Sequence, residues 1–282
     1  MKSFYIIVNE DKQDTGDMLR RIESYLTDHG CFCKASNGEF HKGHRFTAVS
    51  DVPEETECVI TLGGDGTLIR AARDLAGSGI PIIGINLGSL GYLTEMGRGG
   101  DVKELLDALI SDHYQIQERM MLRGRAYHNG ELAEDNIALN EIVMTREGEL
   151  RVLNFRIYVD GQFLYEYSAD GMLVATPTGS TAYNLSAGGP IAQPDGQLLI
   201  LTPVCPHTLT SRTIVLGPES RVRIEISERN QGRQVAAFDG DTKVVLEPGD
   251  YIEIERSEMV TRVVKLDHRS FLDILKHKMY DA

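Results

Sequence analysis

The stretch Cys58-Val59-Ile60-Thr61-Leu62-Gly63-Gly64-Asp65-Gly66-Thr67-Leu68-Ile69-Arg70-Ala71-Ala72 decides how the chain folds. Its first five residues form an apolar run, and its last five alternate small and apolar residues. The pattern predicts a strand, a glycine loop and a helix. Glycines at 63, 64 and 66 are expected to give the backbone positive-φ freedom and to remove side chains that would hold off a bulky anion. Main-chain N–H groups in such a loop, followed by a helix N-terminus, make an anion site. An ordinary phosphate cradle carries no carboxylate, and this one has Asp65 in its middle. That group repels phosphate unless it binds a metal ion or takes the proton of an attacking hydroxyl, so the loop predicts phosphoryl transfer. The bland alternative is a tight Asp-Gly turn after a buried strand.

Working outward toward the N-terminus, residues 3–8 are a nearly continuous apolar run, as in a strand covered on both faces. A helix over 17–29 places Met18, Ile22, Tyr25 and Leu26 on one face, with Gly30 at its end. A second strand near 31–35 enters a polar loop, 36–47. That loop holds His41 and His44, two imidazoles without a third ligand, so no metal site is expected there. Toward the C-terminus, Gly77 and Gly79 end the helix, residues 80–86 are another buried strand, and 86–91 form a second glycine loop. Asp101 then opens a helix to about 110. This rhythm predicts a doubly wound, mostly parallel α/β layer, with ligand beyond the C-terminal strand ends where both glycine loops lie.

The grammar changes after Asp112. Many short strands with turn punctuation follow, among them 137–145, 151–159, 172–176, 251–255 and 261–266, which predicts a mostly β, sandwich-like domain. Residues 270–279 return as a C-terminal helix. The expected division is therefore an α/β domain over 1–112, a mostly β domain over 113–266, and a helix within 267–282 packing back on the first.

Composition narrows the function. The 282 residues are 41% hydrophobic and 25% charged, enough to bury a full core. A net charge of −13 argues against a non-specific nucleic-acid binder. The locally basic stretch 262–278 fits a solvated helix face. No apolar run approaches the roughly 20 residues of a membrane span, and the N-terminal residues enter an apolar strand at once rather than a cleavable signal pattern, so a cytoplasmic protein is expected. Cys31, Cys33, Cys58 and Cys205 have no zinc-site spacing and are expected as reduced thiols.

A second polar cluster runs from Ala169-Asp170-Gly171 through Thr176-Pro177-Thr178-Gly179-Ser180-Thr181-Ala182-Tyr183-Asn184-Leu185-Ser186-Ala187-Gly188-Gly189. A strand ending in hydroxyls, glycines and a short helix suits the polar edges and phosphates of a nucleotide. Helix capping by Ser180 or Thr181 would account for one residue and leave the rest. Asn140-Glu141 is a weaker sign, because adjacent strand residues point to opposite faces. Both reach one ligand only from a strand end or a bulge.

Together these blocks resemble the NAD kinase family. Gly63 to Thr67, Asn140-Glu141 and Asp170 to Gly189 match its signature blocks in order, and residues 86–93 look like its second glycine loop. Cys205 to Arg212 resembles its later loop, and Phe238-Asp239-Gly240 its late Asp-Gly turn. The resemblance implies an N-terminal α/β domain and a C-terminal β domain with the site between them. It implies transfer of the terminal phosphate of ATP, with Mg²⁺, to the 2′-hydroxyl of the adenosine ribose of NAD, giving NADP. It gives Asp65 the role of base or hydroxyl-orienting group, lets Gly63, Gly64, Gly66 and Thr67 admit phosphates, and lays Tyr92 along the dinucleotide. Asn140 and Glu141 would hold adenine and ribose edges. Thr178, Ser180, Thr181, Ala182, Tyr183 and Ser186 would shape the nucleotide pockets, with Asp170 on the nicotinamide side and Arg212 and Asp239 as weaker members. It also implies a homodimer or homotetramer, while the metal ligands stay unassigned. Polyphosphate could replace ATP as donor, and NADH could replace NAD.

The sequence has neither the dehydrogenase G-x-G-x-x-G with its downstream acid nor a P-loop lysine. A diacylglycerol-type lipid kinase shares the first loop, but this acidic chain lacks a membrane-facing stretch. A non-catalytic dinucleotide sensor is the other alternative, and the presence of Asp65 counts against it.

Overall fold

The computed structural model describes residues 1–9, 15–36, 47–88, 91–97, 100–148, 152–208, 211–266 and 270–280. The loop carrying His41 and His44 lies outside them. In chain order the elements begin β1 (Ser3–Val8), α1 (Thr15–Asp28), β2 (Phe32–Ala35), β3 (Cys58–Gly63), α2 (Asp65–Asp74), β4 (Ile82–Asn86), α3 (Val102–Ile110) and β5 (Gln115–His128). They continue as β6 (Glu131–Ala138), β7 (Glu141–Arg146), β8 (Leu153–Val159), β9 (Gln162–Ala169), β10 (Gly171–Ala175), α4 (Tyr183–Ser186) and β11 (Leu199–Val204). The last are β12 (Ile214–Leu216), β13 (Val222–Ile226), β14 (Gln234–Phe238), β15 (Thr242–Leu246), β16 (Tyr251–Lys265) and α5 (Phe271–Tyr280). The chain divides into two units, Met1–Glu118 with Val260–Ala282, and Arg119–Met259. α5 thus falls in the first unit.

In the first unit the strands run β2-β1-β3-β4, all parallel, and the end of β16 joins β4 in parallel through Val263 and Ile82. Phe4, Ile6, Cys58, Ile60, Leu62, Ile83 and Ile85 share one core with Ile22 and Leu26 of α1 and Leu105, Leu106 and Leu109 of α3. The other face belongs to α2, because a Cβ at Gly84 would stand 2.9 Å from Leu68. Helices on both faces make the layer doubly wound, as expected. Asp101 caps α3, its side chain accepting from the Lys103 N–H at 2.9 Å. Strand order reverses between β1 and β3, and ligands of such sheets bind beyond the strand ends at that reversal. Asn9 and Gly63 stand there.

The second unit is a sandwich of antiparallel strands. One sheet runs β12-β11-β10-β7-β14-β15; the other runs β16-β13-β8-β9, with β5 bonded to β16 and β6. Ile142, Met144, Met172, Val174 and Phe238 of the first sheet meet Phe155, Ile157, Val222, Ile224 and Ile252 of the second in one core. The outer face of the six-stranded sheet, with Val143, Leu173 and Ile200, is covered by Ala187, Ala192 and Leu198.

Two local expectations change. Residues 137–145 are not one strand: β6 stops at Ala138 and β7 starts at Glu141. The amides of Leu139, Asn140 and Glu141 bond to the Asp239 carboxylate, which interrupts the ladder. Residues 251–255 and 261–266 belong to one strand, β16, because the polar Arg256-Ser257-Glu258 stretch stays extended. Among the described residues no helix is long and apolar enough to cross a membrane.

Candidate active site

The first unit builds one half of the candidate chemistry at the end of β3. Gly64 caps α2 with extended backbone, φ −112°, and neither Gly63 nor Gly66 has positive φ. The expected conformational reason for these glycines therefore gives way to a steric one. A Cβ on Gly63 would sit 2.2 Å from Thr67 Oγ1, so only hydrogen fits beside that buried side chain. Asn9 at the end of β1 donates to the same Thr67 oxygen at 3.2 Å, tying together the two loops at the strand-order reversal. Gly66 faces open space.

Asp65, in the first turn of α2, is held from the opposite side by the segment after β4. Its Oδ2 accepts from the Tyr92 N–H at 2.8 Å, and its Oδ1 accepts from Leu93 and Thr94, each at 3.3 Å. A Cβ at Gly91 would lie 1.9 Å from Oδ1, so glycine there is the condition for the approach. A carboxylate offers about four lone-pair positions. Three are occupied, which leaves room for one more donor. The holding segment is itself fixed: Glu95 N–H donates to Gly84 O at 2.9 Å, and the Glu95 carboxylate pairs with Lys265 in a mostly buried ion pair. Lys278 of α5 lies 5.9 Å from the centre of the Tyr92 ring.

The second unit brings the other blocks together. Thr176 N–H donates to Asn140 O at 2.8 Å, and the Thr176 hydroxyl donates to Leu139 O at 2.6 Å. A Cβ on Gly179 would fall 2.1 Å from Asn140 O, so the 3₁₀ turn Thr178–Thr181 lies flat on that carbonyl. Asn140 immediately precedes β7 and Glu141 opens it, the strand-end placement that lets adjacent side chains serve one site. Both residues are 8% exposed, and Asn140 Oδ1 and Glu141 Oε2 have no hydrogen-bond partner among the described residues. Burial pushes the Glu141 carboxyl up to about 8, and the nearby Asp239 charge pushes the same way, against a hydrogen bond from the Tyr183 main chain.

Several expected nucleotide-binding hydroxyls bond within the block. Thr178 donates to Pro194 O, Thr181 to Thr178 O, and Ser180 both donates to Ala192 O and accepts from its N–H. Asn184, absent from the expected site, is a buried hub: it donates to Ser180 O and Pro190 O and accepts from Thr202. Ala182 is partly exposed, Tyr183 and Ser186 are exposed, and desolvation raises the Tyr183 phenol. Asp170 pairs with Arg146 at 3.0 Å and lies 3.6 Å from His207 Nε2. Arg146 was not foreseen, because nothing local marks a strand-end arginine whose partner is 24 positions away. Arg212 is exposed and donates to Ser211 O at 2.7 Å.

Among the described residues no group of three or more His, Cys, Asp or Glu could hold a metal ion. Mg²⁺ normally takes one or two carboxylates beside phosphate oxygens and water, so an ion carried by ATP needs no such cage.

Comparison with known proteins places these features in one family. The model of the ATP-NAD kinase N-terminal domain matches residues 4–114, and that of the ATP-NAD kinase C-terminal domain matches residues 139–266. The NAD kinase of Lachnospira eligens is 43% identical over 294 aligned positions, covering 99% of this chain and all of that protein. The NAD kinase of Agathobacter rectalis is 43% identical over 284 positions, covering 99% of both. In fold, the chain is similar to yeast NADH kinase complexed with NADH, with a TM-score of 0.85, 24% identity, and 99% and 87% of the two chains covered. An Archaeoglobus fulgidus NAD kinase in complex with ATP superposes with a TM-score of 0.76 and 24% identity, covering 94% of each chain. The chain belongs to the NAD kinase family.

Proposed function

We propose that this protein transfers the terminal phosphate of ATP to the 2′-hydroxyl of the adenosine ribose of NAD, giving NADP. The observation that carries the chemistry is the Asp65 carboxylate, fixed by three main-chain N–H groups with one acceptor position left over. A hydroxyl bonded at that position is oriented for attack, and its proton has an acceptor as the new O–P bond forms. The open space at Gly66 and the N-terminus of α2 receive phosphate oxygens, with Gly63 and Thr67 fixing the loop. Tyr92 lies along the dinucleotide.

The unpartnered acceptors of Asn140 and Glu141 take donors from ribose or adenine. Ala182 and Tyr183 supply pocket surface, with Thr178, Ser180 and Thr181 shaping the turn beneath them and Ser186 at its exposed end. Asp170, held by Arg146, serves the nicotinamide side, and Arg212 is a further cation for phosphate. Mg²⁺ bound with ATP would supply the charge that neutralises the phosphates, while the one acceptor position left on Asp65 serves the hydroxyl. The protein works in the cytoplasm as a homodimer or homotetramer, and polyphosphate is an alternative donor.

Incubation of purified protein with Mg-ATP and NAD, followed by measurement of NADP, tests this. NADP formation that needs both metal and donor is the expected result. No product across several divalent metals and both donors refutes it.

A further inference from the structure

The late Asp-Gly turn reproduces, in the second unit, the arrangement found at Asp65. Asp239 has φ +50°, a left-handed conformation uncommon outside glycine. Its Oδ2 accepts from Leu139 N–H at 2.8 Å, and its Oδ1 accepts from Asn140 at 2.8 Å and Glu141 at 3.1 Å. In return, Asp239 N–H donates to Glu141 O at 3.0 Å. Four hydrogen bonds thus fasten one turn to the two residues between β6 and β7 and to Glu141, which opens β7. Those residues include Asn140 and Glu141, whose side-chain acceptors are buried and unpartnered.

We propose that Asp239 is a positioning residue: it does not bind the nucleotide but sets the direction in which Asn140 Oδ1 and Glu141 Oε2 meet it. The break in the ladder supports this, because a regular strand through 137–145 would turn one of these two side chains away from the other. Holding both on one side requires the amides of 139–141 to leave the ladder, and buried amides that do so need another acceptor. Asp239 supplies it for all three. A carboxylate is the side chain that can take three N–H groups at once without bringing a donor of its own.

The same carboxylate has an electrostatic effect. The groups facing Glu141 are Asp239 and Tyr183, and Tyr183 in turn feels Asp170, Arg146 and Cys205. Among the described residues Glu141 has no cationic partner, and Asp239 opposes its ionisation, so Glu141 keeps its proton at neutral pH and can donate as well as accept.

This rests on the reading that Asn140 and Glu141 contact NAD, and the test separates the two. In the unmodified protein, NAD affinity changes in a step as Glu141 ionises, near pH 8. Glu141→Gln abolishes that step. Asp239→Asn replaces an acceptor by a donor facing the same amides; it raises the KM for NAD roughly tenfold, the loss of about one aligned hydrogen bond, and leaves the KM for ATP unchanged. It also moves the pH step toward acid, because the opposing charge is gone. Asp239→Glu keeps the charge but displaces it, so KM rises while the step stays. An Asp239→Asn protein that melts earlier but keeps both the KM for NAD and the step overturns the proposal, leaving Asp239 a structural role. Should Glu141→Gln bind NAD as the unmodified protein does, with no step in either, the contact itself is refuted. If neither Asp239 variant folds, amide hydrogen exchange of the unmodified protein decides. Protection of residues 139–141 that NAD leaves unchanged supports the proposal, and protection that appears only with NAD overturns it.

Discussion

Replacing Glu141 by glutamine should make the protein more stable, by an amount that grows with pH. In the folded state burial, aided by the Asp239 charge, raises this carboxyl to about 8 from its ordinary 4.5. An unfolded chain therefore loses the proton near its ordinary value, while the folded chain keeps it far longer. Between these points the unfolded state binds fewer protons, so stability falls as pH rises and levels off above the folded value. One pKa unit corresponds to about 1.36 kcal/mol, so the penalty is about 3 kcal/mol at pH 7 and about 5 kcal/mol once the group ionises in both states. Glutamine has nearly the same shape and cannot ionise, so it carries none of this. The two proteins should be equally stable below about pH 4 and should diverge by several kcal/mol by about pH 8, the variant being the stronger. Urea unfolding followed by far-UV circular dichroism measures this, since the chain has no tryptophan for fluorescence. Because both proteins share every other titrating group, their difference isolates position 141. A gap that stays constant from acid to alkaline pH, or that opens in favour of the unmodified protein, refutes the reasoning.

Three further substitutions test other parts of the site. Asp65→Asn should lower turnover by about 10²–10⁴-fold while calorimetry still detects NAD binding; near-normal turnover would remove Asp65 from the reaction. Gly179→Ala drives a methyl into the Asn140 carbonyl and should cost about 1–3 kcal/mol in urea unfolding and weaken NAD binding, whereas Gly66→Ala meets open space, should fold normally, and should raise only the KM for ATP. A normal KM in Gly66→Ala would show that phosphate does not approach there. Glu95→Gln leaves Lys265 unpaired where the two side chains are only 6% and 14% exposed, and should cost about 3–5 kcal/mol; a loss within about 1 kcal/mol would place the pair with ordinary surface bridges.

What the sequence made legible was local. The run from Cys58 to Ala72 announces strand, loop and helix within fifteen residues, and Asp101 announces α3 by capping it. The same local view misjudged the glycines at 63, 64 and 66, because whether a glycine serves φ or space depends on what lies opposite. For Gly63 that is the Thr67 hydroxyl and Asn9 from another strand. It also left Asp239 a minor member of the site, since its partners are 98 to 100 positions away. Arg146 and Asn184 went unread too, because their partners, though nearer in sequence, are brought to them only by the turns of the chain. The arginine acquires meaning from Asp170, and the asparagine from Thr202 and two carbonyls that the fold delivers. The break at Leu139–Asn140 was legible only as a condition, that Asn140 and Glu141 reach one ligand from a strand end or a bulge, because the acceptor that makes it, Asp239, is remote in sequence.

The end of β16 has a consequence for how the chain comes off the ribosome. Val264 and Leu266 share the core of Phe4, Ile6 and Ile60, and Val263 pairs with Ile82. The earliest strands to emerge are therefore completed by residues made some 260 positions later, an interval of roughly ten to fifty seconds at ordinary elongation rates. The segment Arg119–Met259 is finished before that moment and is continuous, so it can fold while the first unit still waits. Throughout the wait the edge of β4 stands unpaired beside an incomplete core, which is the state in which nascent chains are most open to mispairing. A stop codon anywhere before Val263 would make that state permanent.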